Sequence, residues 1–392
     1  MNDSFLLNTY PEPKATFVRG KGVSLFDSNG KEYLDFLSGI AVVSLGHSNE
    51  EIAQTISRQA SELSHVSNYF DNEFTQKVAR KIDEKISSEF VDKAGHGKVF
   101  FSNSGAESNE CAIKVAKRYG KGERYKILTA INSFHGRTIA TLKATGQPEK
   151  HKNFEPLPDY VKYFDFGNSQ SLQDQIDEEC VAVLIEVIQG EGGVQVANQE
   201  FFDDVTKICK ENGLLLMIDE VQTGMCRTGK WFGFQNFGLM PDVVTMAKAL
   251  GNGFPVGACW VKDEVAEVMQ PGDHGSTFGG QPLALAVVDT VFNILDRDQL
   301  DKRAGVLGEK LKTALRATSL FKEVRGLGLL VGCELDPDKV KISAFELVTL
   351  AMDAGLIINA TSENTVRLAP PLIIDDADID RAVEIISSSA RS

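Results

Sequence analysis

Apolar runs and amphipathic stretches alternate along most of this chain, with glycine-rich turns between them. From Lys98 onward, several apolar runs have the length of buried β-strands. These runs are Val99–Phe101, Lys126–Thr129, Val181–Val187, Leu214–Ile218, Val243–Met246 and Ala258–Val261. Apolar strands that alternate with helices are typical of a mostly parallel sheet with helices on both faces. The pattern therefore predicts an α/β fold for this part of the chain.

The two ends of the chain follow a different pattern. Short strands, turns and helices are predicted there: Val23–Asp27, a turn at Ser28–Gly30, Glu32–Phe36, Leu329–Glu334, Val366–Leu368 and a final helix near Ala377–Ser388. Together they predict a smaller α+β unit to which both ends contribute. We expect an N-terminal segment of residues 1–48, a large domain of residues 49–281 and a C-terminal small domain of residues 282–392, with helices beginning near Asn49 and Glu73.

Composition narrows the possible classes of protein. The 392 residues are 42% hydrophobic, which predicts a large core, and the formal net charge of −14 argues against a general nucleic-acid or anionic-membrane surface. None of the six cysteines forms a C-x-x-C pair, and the histidines show no H-x-x-x-H pattern, so we expect reduced thiols and no metal site. The segment Met1–Phe5 has no basic or long apolar stretch, so we expect no signal peptide, no membrane span and a cytoplasmic location.

Two residues that follow predicted strands carry the strongest chemical signal. Asp219 ends the run Leu214–Ile218, and a buried carboxylate is costly unless it meets a positive partner. Lys248 lies in a turn beside Gly251 and Gly253, where it is a candidate amine nucleophile. The alternative for Asp219 is a plain helix N-cap. The pair fits pyridoxal 5′-phosphate (PLP), with Lys248 forming the Schiff base and Asp219 keeping the pyridine nitrogen protonated.

A third candidate is the turn Ser104-Gly105-Ala106 between a predicted strand and a predicted helix. Glycine lets the backbone approach an anion closely, and a helix start offers free N–H groups. The same three residues are equally compatible with an ordinary strand–helix turn. By itself, the turn does not distinguish a phosphate site from an ordinary strand–helix turn.

These motifs resemble the class III aminotransferases of PLP fold type I, most closely the acetylornithine branch of that family. The resemblance extends from Phe17–Gly20 to Arg367–Leu372. It implies a large domain with a mostly parallel sheet flanked by helices, a smaller α+β domain, and PLP as cofactor. It further implies which residues contact the cofactor: Ser104, Gly105 and Ala106 at the phosphate, Phe134 on the ring face, Asp219 at the ring nitrogen, Gln222 at the phenolic oxygen, Lys248, and Thr277 at the phosphate of the neighbouring subunit.

The resemblance also implies a substrate site that two subunits share. Its expected residues are Arg137 for a substrate carboxylate, Glu191 paired with Arg367, Ser276 at the pocket border, and Tyr10 and Ile40 in the lining. His135 is interpreted as structural. We therefore expect a homodimer with shared active sites that acts on small-molecule amino acids.

The expected reaction moves the distal amino group of N-acetyl-L-ornithine to 2-oxoglutarate, a step of arginine biosynthesis. Ornithine δ-aminotransferase is the first alternative, although Ile40 stands where that family tends to carry an aromatic residue. Succinylornithine and 4-aminobutyrate aminotransferases stay open. A catalytically silent scaffold with the same fold is another alternative. The presence of Asp219, Lys248 and Arg137 argues against it.

One decoy, Gly326–Gly332, has the spacing G-x-G-x-x-x-G and is interpreted as strand and turn packing rather than a dinucleotide loop.

Overall fold

A computed structural model describes residues 5–88 and 95–391 of the chain. The expectation of no leader peptide rests on Met1–Phe5, of which residues 1–4 lie outside the described part. The described β-strands, in chain order, are β1 Phe17–Lys21, β2 Ser24–Asp27, β3 Glu32–Asp35, β4 Gly97–Ser102, β5 Lys126–Ala130, β6 Val161–Phe164, β7 Cys180–Ile185, β8 Ile188–Gln189, β9 Gln195–Val196, β10 Leu215–Asp219, β11 Val243–Met246, β12 Gly257–Lys262, β13 Phe321–Leu327, β14 Leu330–Leu335, β15 Leu356–Ile357, β16 Asn359–Ser362 and β17 Thr365–Leu368.

Helices alternate with the strands of the central region and cluster near the C-terminus. They are α1 Ser38–Ala41, α2 Glu50–Glu62, α3 Thr75–Ser87, α4 Gly105–Tyr119, α5 Ile139–Ala144, α6 Pro148–His151, α7 Ser169–Asp174, α8 Gln199–Asn212, α9 Asp263–Ala266, α10 Pro282–Arg297, α11 Leu300–Ala317, α12 Ala344–Asp353 and α13 Asp376–Ser389. The predicted start near Asn49 is confirmed, because the Asn49 side chain accepts a hydrogen bond from the Ile52 N–H and caps α2. None of the described helices combines the length and the apolar character that a membrane crossing requires.

The large sheet positions the candidate site. In the described residues it has seven strands in the order β4-β12-β11-β10-β7-β5-β6. Six of the seven strands share one direction and β12 alone runs the opposite way, so the predicted mostly parallel sheet is confirmed. Loops at the carboxyl ends of parallel strands meet at one edge, where open α/β sheets bind their ligands.

Both faces of this sheet are buried, as the continuous apolar runs predict. In β10, Leu216 and Ile218 join one core cluster, whereas Leu215 and Met217 join the cluster on the opposite face. This alternation follows from the two-residue period of a strand. The edge strand β6 was not predicted from the sequence, because its four residues Val161–Phe164 carry too short an apolar pattern.

The two chain ends meet in smaller sheets. One sheet has the order β1-β2-β3-β15, so the N-terminal hairpin pairs with a strand from the C-terminal part, and a second has the order β13-β14-β17-β16. The strands β13 and β14 form a hairpin, as expected for the decoy Gly326–Gly332. Pairing of β3 with β15 agrees with a shared small unit, while the boundaries 1–48, 49–281 and 282–392 stay a prediction.

Candidate active site

A single pocket of about 390 Å³ collects most of the predicted site residues. Those in its lining are Ser104, Gly105, Ala106, Phe134, Arg137, Glu191, Asp219, Gln222 and Lys248. They follow the carboxyl ends of β4, β5, β7, β10 and β11, which run in one direction. The fold therefore brings together chemistry that is spread over more than a hundred residues of sequence.

Lys248 opens a short 3₁₀ turn directly after β11, with a left-handed φ of 47°. Among the described residues its amine has no hydrogen-bond partner. Burial lowers the pKa of Lys248, and the charge of Arg367 lowers it further, although Glu191 acts in the opposite direction. A lowered pKa leaves more of the amine in the neutral form, which is the form that attacks an aldehyde or accepts a proton.

Asp219 lies buried at the end of β10 and accepts three hydrogen bonds. The donors are Asn109 Nδ2 at 2.8 Å and His135 Nδ1 at 2.8 Å, both to Oδ2, and the Val221 N–H at 3.0 Å to Oδ1. A carboxylate only accepts, so the His135 ring carries its proton on Nδ1. These donors offset the cost of burying the charge and fix the direction in which the carboxylate faces the pocket.

Asn109 and His135 extend this network in a way that the sequence did not predict. His135 was interpreted as structural, which stays a prediction, and its ring holds the Asp219 carboxylate assigned to the cofactor. Asn109, on α4, accepts a hydrogen bond from Thr245 Oγ1 at 2.7 Å, so the network connects α4 with β11 and β10. No local pattern marks these residues, because they meet Asp219 only through tertiary structure.

The start of α4 has the features of an anion site. Ser104 caps the helix by accepting a hydrogen bond from the Glu107 N–H at 3.2 Å. The N–H groups that precede Glu107 in the first turn have no intrahelical partner, as at any helix start. A Cβ atom at Gly105 would lie 2.8 Å from the Val221 side chain, so glycine is needed for this close approach. Backbone donors and the positive end of the helix dipole therefore face the pocket.

Glu186 is a second buried acid in the pocket that the sequence analysis left without a role. Its Oε2 accepts a hydrogen bond from the Phe134 N–H at 3.0 Å. Burial raises the pKa of Glu186 well above its ordinary range, and the charge of nearby Asp219 raises it further. The contact holds the segment that presents the Phe134 ring to the pocket.

Two arginines at the pocket differ sharply in their surroundings. Arg137 is exposed, and within the described residues its guanidinium contacts only the Phe134 ring, at 5.7 Å from the centroid. Arg367 is fully buried and donates from Nη1 to Glu191 Oε1 at 2.5 Å. Burial raises the pKa of Glu191, but the charge and hydrogen bond of Arg367 outweigh it and the net pKa is lowered. Nη2 of Arg367 is buried without a hydrogen-bond partner in the described chain.

Five predicted residues lie outside the pocket lining of the single chain: Tyr10, Ile40, Ser276, Thr277 and Arg367. Arg367 reaches the pocket through Glu191, and Ser276 reaches it through a hydrogen bond from Asn103 Nδ2 at 3.2 Å. The Tyr10 side chain is 85% exposed. Ile40 lies near the lining residue Val42 in sequence, and Thr277 lines a separate surface cavity of about 890 Å³. The roles of these residues stay predictions.

The residues of the pocket fit PLP. An amine without a hydrogen-bond partner can react with an aldehyde, a buried carboxylate can hold a protonated ring nitrogen, and a glycine-containing helix start can hold a phosphate. All three features line the same cavity. Val221, beside Gly105, and Gln222 complete the lining next to Asp219.

The fold and this site define a class of enzyme, and sequence comparison agrees with it. The chain belongs to the class-III aminotransferase family, whose model matches residues 8–389, and enzymes of this family are PLP-dependent transferases. Relatives named acetylornithine aminotransferase include one from Caldanaerobacter subterraneus, 46% identical and covering 97% of this chain and 96% of the relative, and one from Aquifex aeolicus, 44% identical with 98% and 99% covered. An ornithine aminotransferase structure from Toxoplasma gondii, described with PLP at its active site, superposes with a TM-score of 0.91 at 30% identity, covering 99% of this chain and 92% of that one.

Proposed function

We propose that this enzyme transfers the distal amino group of N-acetyl-L-ornithine to 2-oxoglutarate, giving N-acetyl-L-glutamate 5-semialdehyde and L-glutamate, a step of arginine biosynthesis. The observation that carries the proposal is the unequal state of two arginines at one pocket: Arg137 contacts only the Phe134 ring in the described residues, whereas Arg367 is paired with Glu191. The full-length relatives named acetylornithine aminotransferase support the choice of substrate.

Each residue of the pocket has a defined task in this proposal. PLP, when bound, supplies an electron sink and a temporary carrier for the amino group. Lys248 Nζ would take a proton from the substrate carbon that bears the amino group and deliver it to the cofactor carbon that receives the amino group. Asp219 holds the proton on the ring nitrogen, and Phe134 covers the ring face. Ser104, Gly105 and Ala106 would hold the phosphate, and Gln222 would donate to the phenolic oxygen.

The two arginines would allow one pocket to accept two different amino donors. Acetylornithine presents its distal amine, so its α-carboxylate lies far from the reacting carbon, where Arg137 can bind it. Glutamate reacts through its α-amine and places its side-chain carboxylate on Arg137 and its α-carboxylate close to Arg367. Glu191 stays paired with Arg367 while acetylornithine reacts. It separates from Arg367 while glutamate reacts, so that the α-carboxylate of glutamate can bind the arginine. The unpaired Nη2 of Arg367 is a donor ready for that carboxylate.

We expect opposite effects from removing the two members of this pair. Glu191→Ala should favour the glutamate half-reaction relative to the acetylornithine half-reaction, because Arg367 is no longer masked. Arg367→Ala should damage the glutamate half-reaction most, by about 2–5 kcal/mol, as when a buried charge pair loses one partner. Pre-steady-state kinetics of each half-reaction measures both effects, with Arg137→Ala as the variant that should impair both. Equal losses in the two half-reactions would show that Glu191 and Arg367 only support the fold.

We also propose a homodimer with shared active sites. Thr277 and Tyr69 line a cavity separate from the candidate active site, and Tyr69 is 93% exposed there, while Phe278, next to Thr277 in sequence, is 66% exposed. A second copy of the chain would cover this surface and bring Thr277 to its partner's cofactor phosphate.

We also propose a cytoplasmic location. All six cysteines are free and buried, which is usual for proteins of a reducing compartment.

Hybrid dimers test the shared site. Lys248→Ala and Thr277→Glu should each be inactive alone, the second because a carboxylate would repel the phosphate. When the two proteins are mixed under exchanging conditions, one site of each hybrid combines an intact lysine with an intact threonine. We expect activity to reappear, and a light-scattering mass of two chains or more. A mass of one chain for fully active enzyme would refute the dimer.

A panel of amino donors tests the substrate. We expect the highest kcat/KM for acetylornithine, compared with succinylornithine, ornithine and 4-aminobutyrate, with 2-oxoglutarate as acceptor. A clear preference for free ornithine would replace the proposal with the ornithine δ-aminotransferase alternative. If none of the four amino donors supports PLP-dependent turnover, the proposed substrate is wrong and the enzyme uses a different amino donor.

A further inference from the structure

The loop that carries Glu191 lies on a row of residues in the small sheet. In the register of β13, β14 and β17, Arg325 pairs with Gly332 and Gly332 pairs with Arg367. Directly paired residues of antiparallel strands face the same side of a sheet. The row therefore presents two arginines on one face, with a bare glycine between them.

Gly332 provides the space for the loop. A Cβ atom at this position would lie 2.7 Å from the Val194 Cβ and 3.1 Å from the Gly193 carbonyl oxygen. Val194 is fully buried and has a φ of 54°, and Gly193 has a φ of 101°. The backbone of Gly193–Val194 thus rests directly on the strand, and Val194 has a positive φ that a β-branched residue rarely adopts.

The two arginines hold the loop at opposite ends. Arg367 donates from Nη1 to the Gly190 carbonyl oxygen at 3.1 Å, next to its contact with Glu191. Arg325 donates to the Gly193 carbonyl oxygen from Nη2 at 2.7 Å and from Nε at 3.1 Å. The residue with the proposed switching role, Glu191, lies between these two attachments.

The charge of Arg325 is balanced without help from the loop. Its Nη1 contacts Glu323 at 2.8 Å and Glu334 at 3.2 Å, and its side chain is only 9% exposed. Its two hydrogen bonds to Gly193 therefore fix the position of the Gly193 carbonyl group and are not needed to neutralise the charge of Arg325. The anchored Gly193 carbonyl lies only two residues along the chain from Glu191.

We propose that Arg325 is a positioning residue for the exchange between the two substrates, which rests on the proposed function of the Glu191–Arg367 pair. By holding the Gly193 carbonyl, Arg325 keeps Glu191 within reach of Arg367 after each glutamate half-reaction. Loss of this anchor lets the loop shift, so that Arg367 is masked less often. The acetylornithine half-reaction then suffers more than the glutamate half-reaction.

The test compares three variants of the holoenzyme. Arg325→Met removes every donor to Gly193, and Arg325→Lys keeps the charge for Glu323 and Glu334 with a single donor group. In Arg325→Met we expect the ratio of the acetylornithine to the glutamate half-reaction rate to fall about tenfold, the order expected when a hydrogen bond from a charged group is lost. Arg325→Lys should give an intermediate ratio. Glu323→Gln, the matched control, breaks an ion pair of Arg325 without touching Gly193 and should leave the ratio unchanged.

Hydrogen–deuterium exchange supplies a readout that is independent of turnover. Peptides that contain residues 190–196 should exchange faster in Arg325→Met than in wild type or Glu323→Gln. An unchanged ratio in Arg325→Met and Arg325→Lys, alongside a shifted ratio in Glu191→Ala, overturns the positioning role and leaves the switch intact. Equal loss of both half-reactions overturns it as well. If Arg325→Met does not fold, the ratio and the exchange in Arg325→Lys decide. Failure of the proposed function itself appears separately, as wild-type enzyme that does not use acetylornithine.

Discussion

Lys248→Ala is expected to abolish transamination and the visible absorbance of the lysine-bound cofactor. Lys248 has two tasks in the proposed reaction, covalent attachment and proton transfer. Proton transfer by a positioned group alone contributes about 10²–10⁴-fold to the rate. We therefore expect a loss of about 10³-fold or more, while the start of α4 still binds PLP through its phosphate. Steady-state rates, absorbance spectra and equilibrium dialysis with PLP measure the three parts of this expectation.

Lys150 offers a matched control for that experiment. It lies close enough to the site for the Arg137 charge to act on it, and burial lowers its pKa, with the Arg137 charge lowering it further. Borohydride reduction followed by peptide mapping should place the cofactor label on Lys248 in wild type and in Lys150→Ala. A label on Lys150 or on any other lysine would disprove the assignment of Lys248.

Asp219→Asn is expected to retain PLP but slow both half-reactions by about 10²–10³-fold, as when one preorganised charge-stabilising group is removed. An ionised carboxylate favours the protonated ring nitrogen because an opposite charge within about 4–6 Å favours the charged form. Asparagine keeps the shape but not the charge. Its carbonyl oxygen can still accept from Asn109 and His135, which converge on Oδ2, but its amide nitrogen then faces the Val221 N–H, a second donor, in place of Oδ1.

The adjacent residue Glu220 is a suitable control, because it is also a buried acid but contacts other groups. Its carboxylate accepts from Thr223 Oγ1 at 2.6 Å and from the Gly233 and Phe234 N–H groups at 2.8 and 2.7 Å. Burial raises the pKa of Glu220 to about 7. Glu220→Gln should lower thermal stability and leave single-turnover rates within a few-fold of wild type. Rates of Asp219→Asn that match those of Glu220→Gln would show that the charge at Asp219 has no special role.

The local pattern of the sequence determined six of the seven described strands of the large sheet. Apolar runs predicted β5, β7, β10, β11 and β12, because a strand buried on both faces must be apolar throughout. Helical periodicity predicted a helix start near Asn49, and the glycine-containing turn at Ser104 predicted the start of α4. The candidate pocket residues that follow strand ends, such as Asp219 and Lys248, were also predictable, because parallel strands deliver their carboxyl ends to a common edge.

Tertiary structure alone decided which side chains surround those residues. Asn109 and His135 on Asp219, Glu186 on the Phe134 N–H, and Arg325 on the Gly193 carbonyl are contacts between elements far apart in sequence. A single sequence contains no signal for them, since hydrophobic periodicity and turn chemistry describe neighbours along the chain. Strand order, the antiparallel placement of β12 and the cross-strand row of Arg325, Gly332 and Arg367 depend on long-range packing, which exists only once the chain has folded.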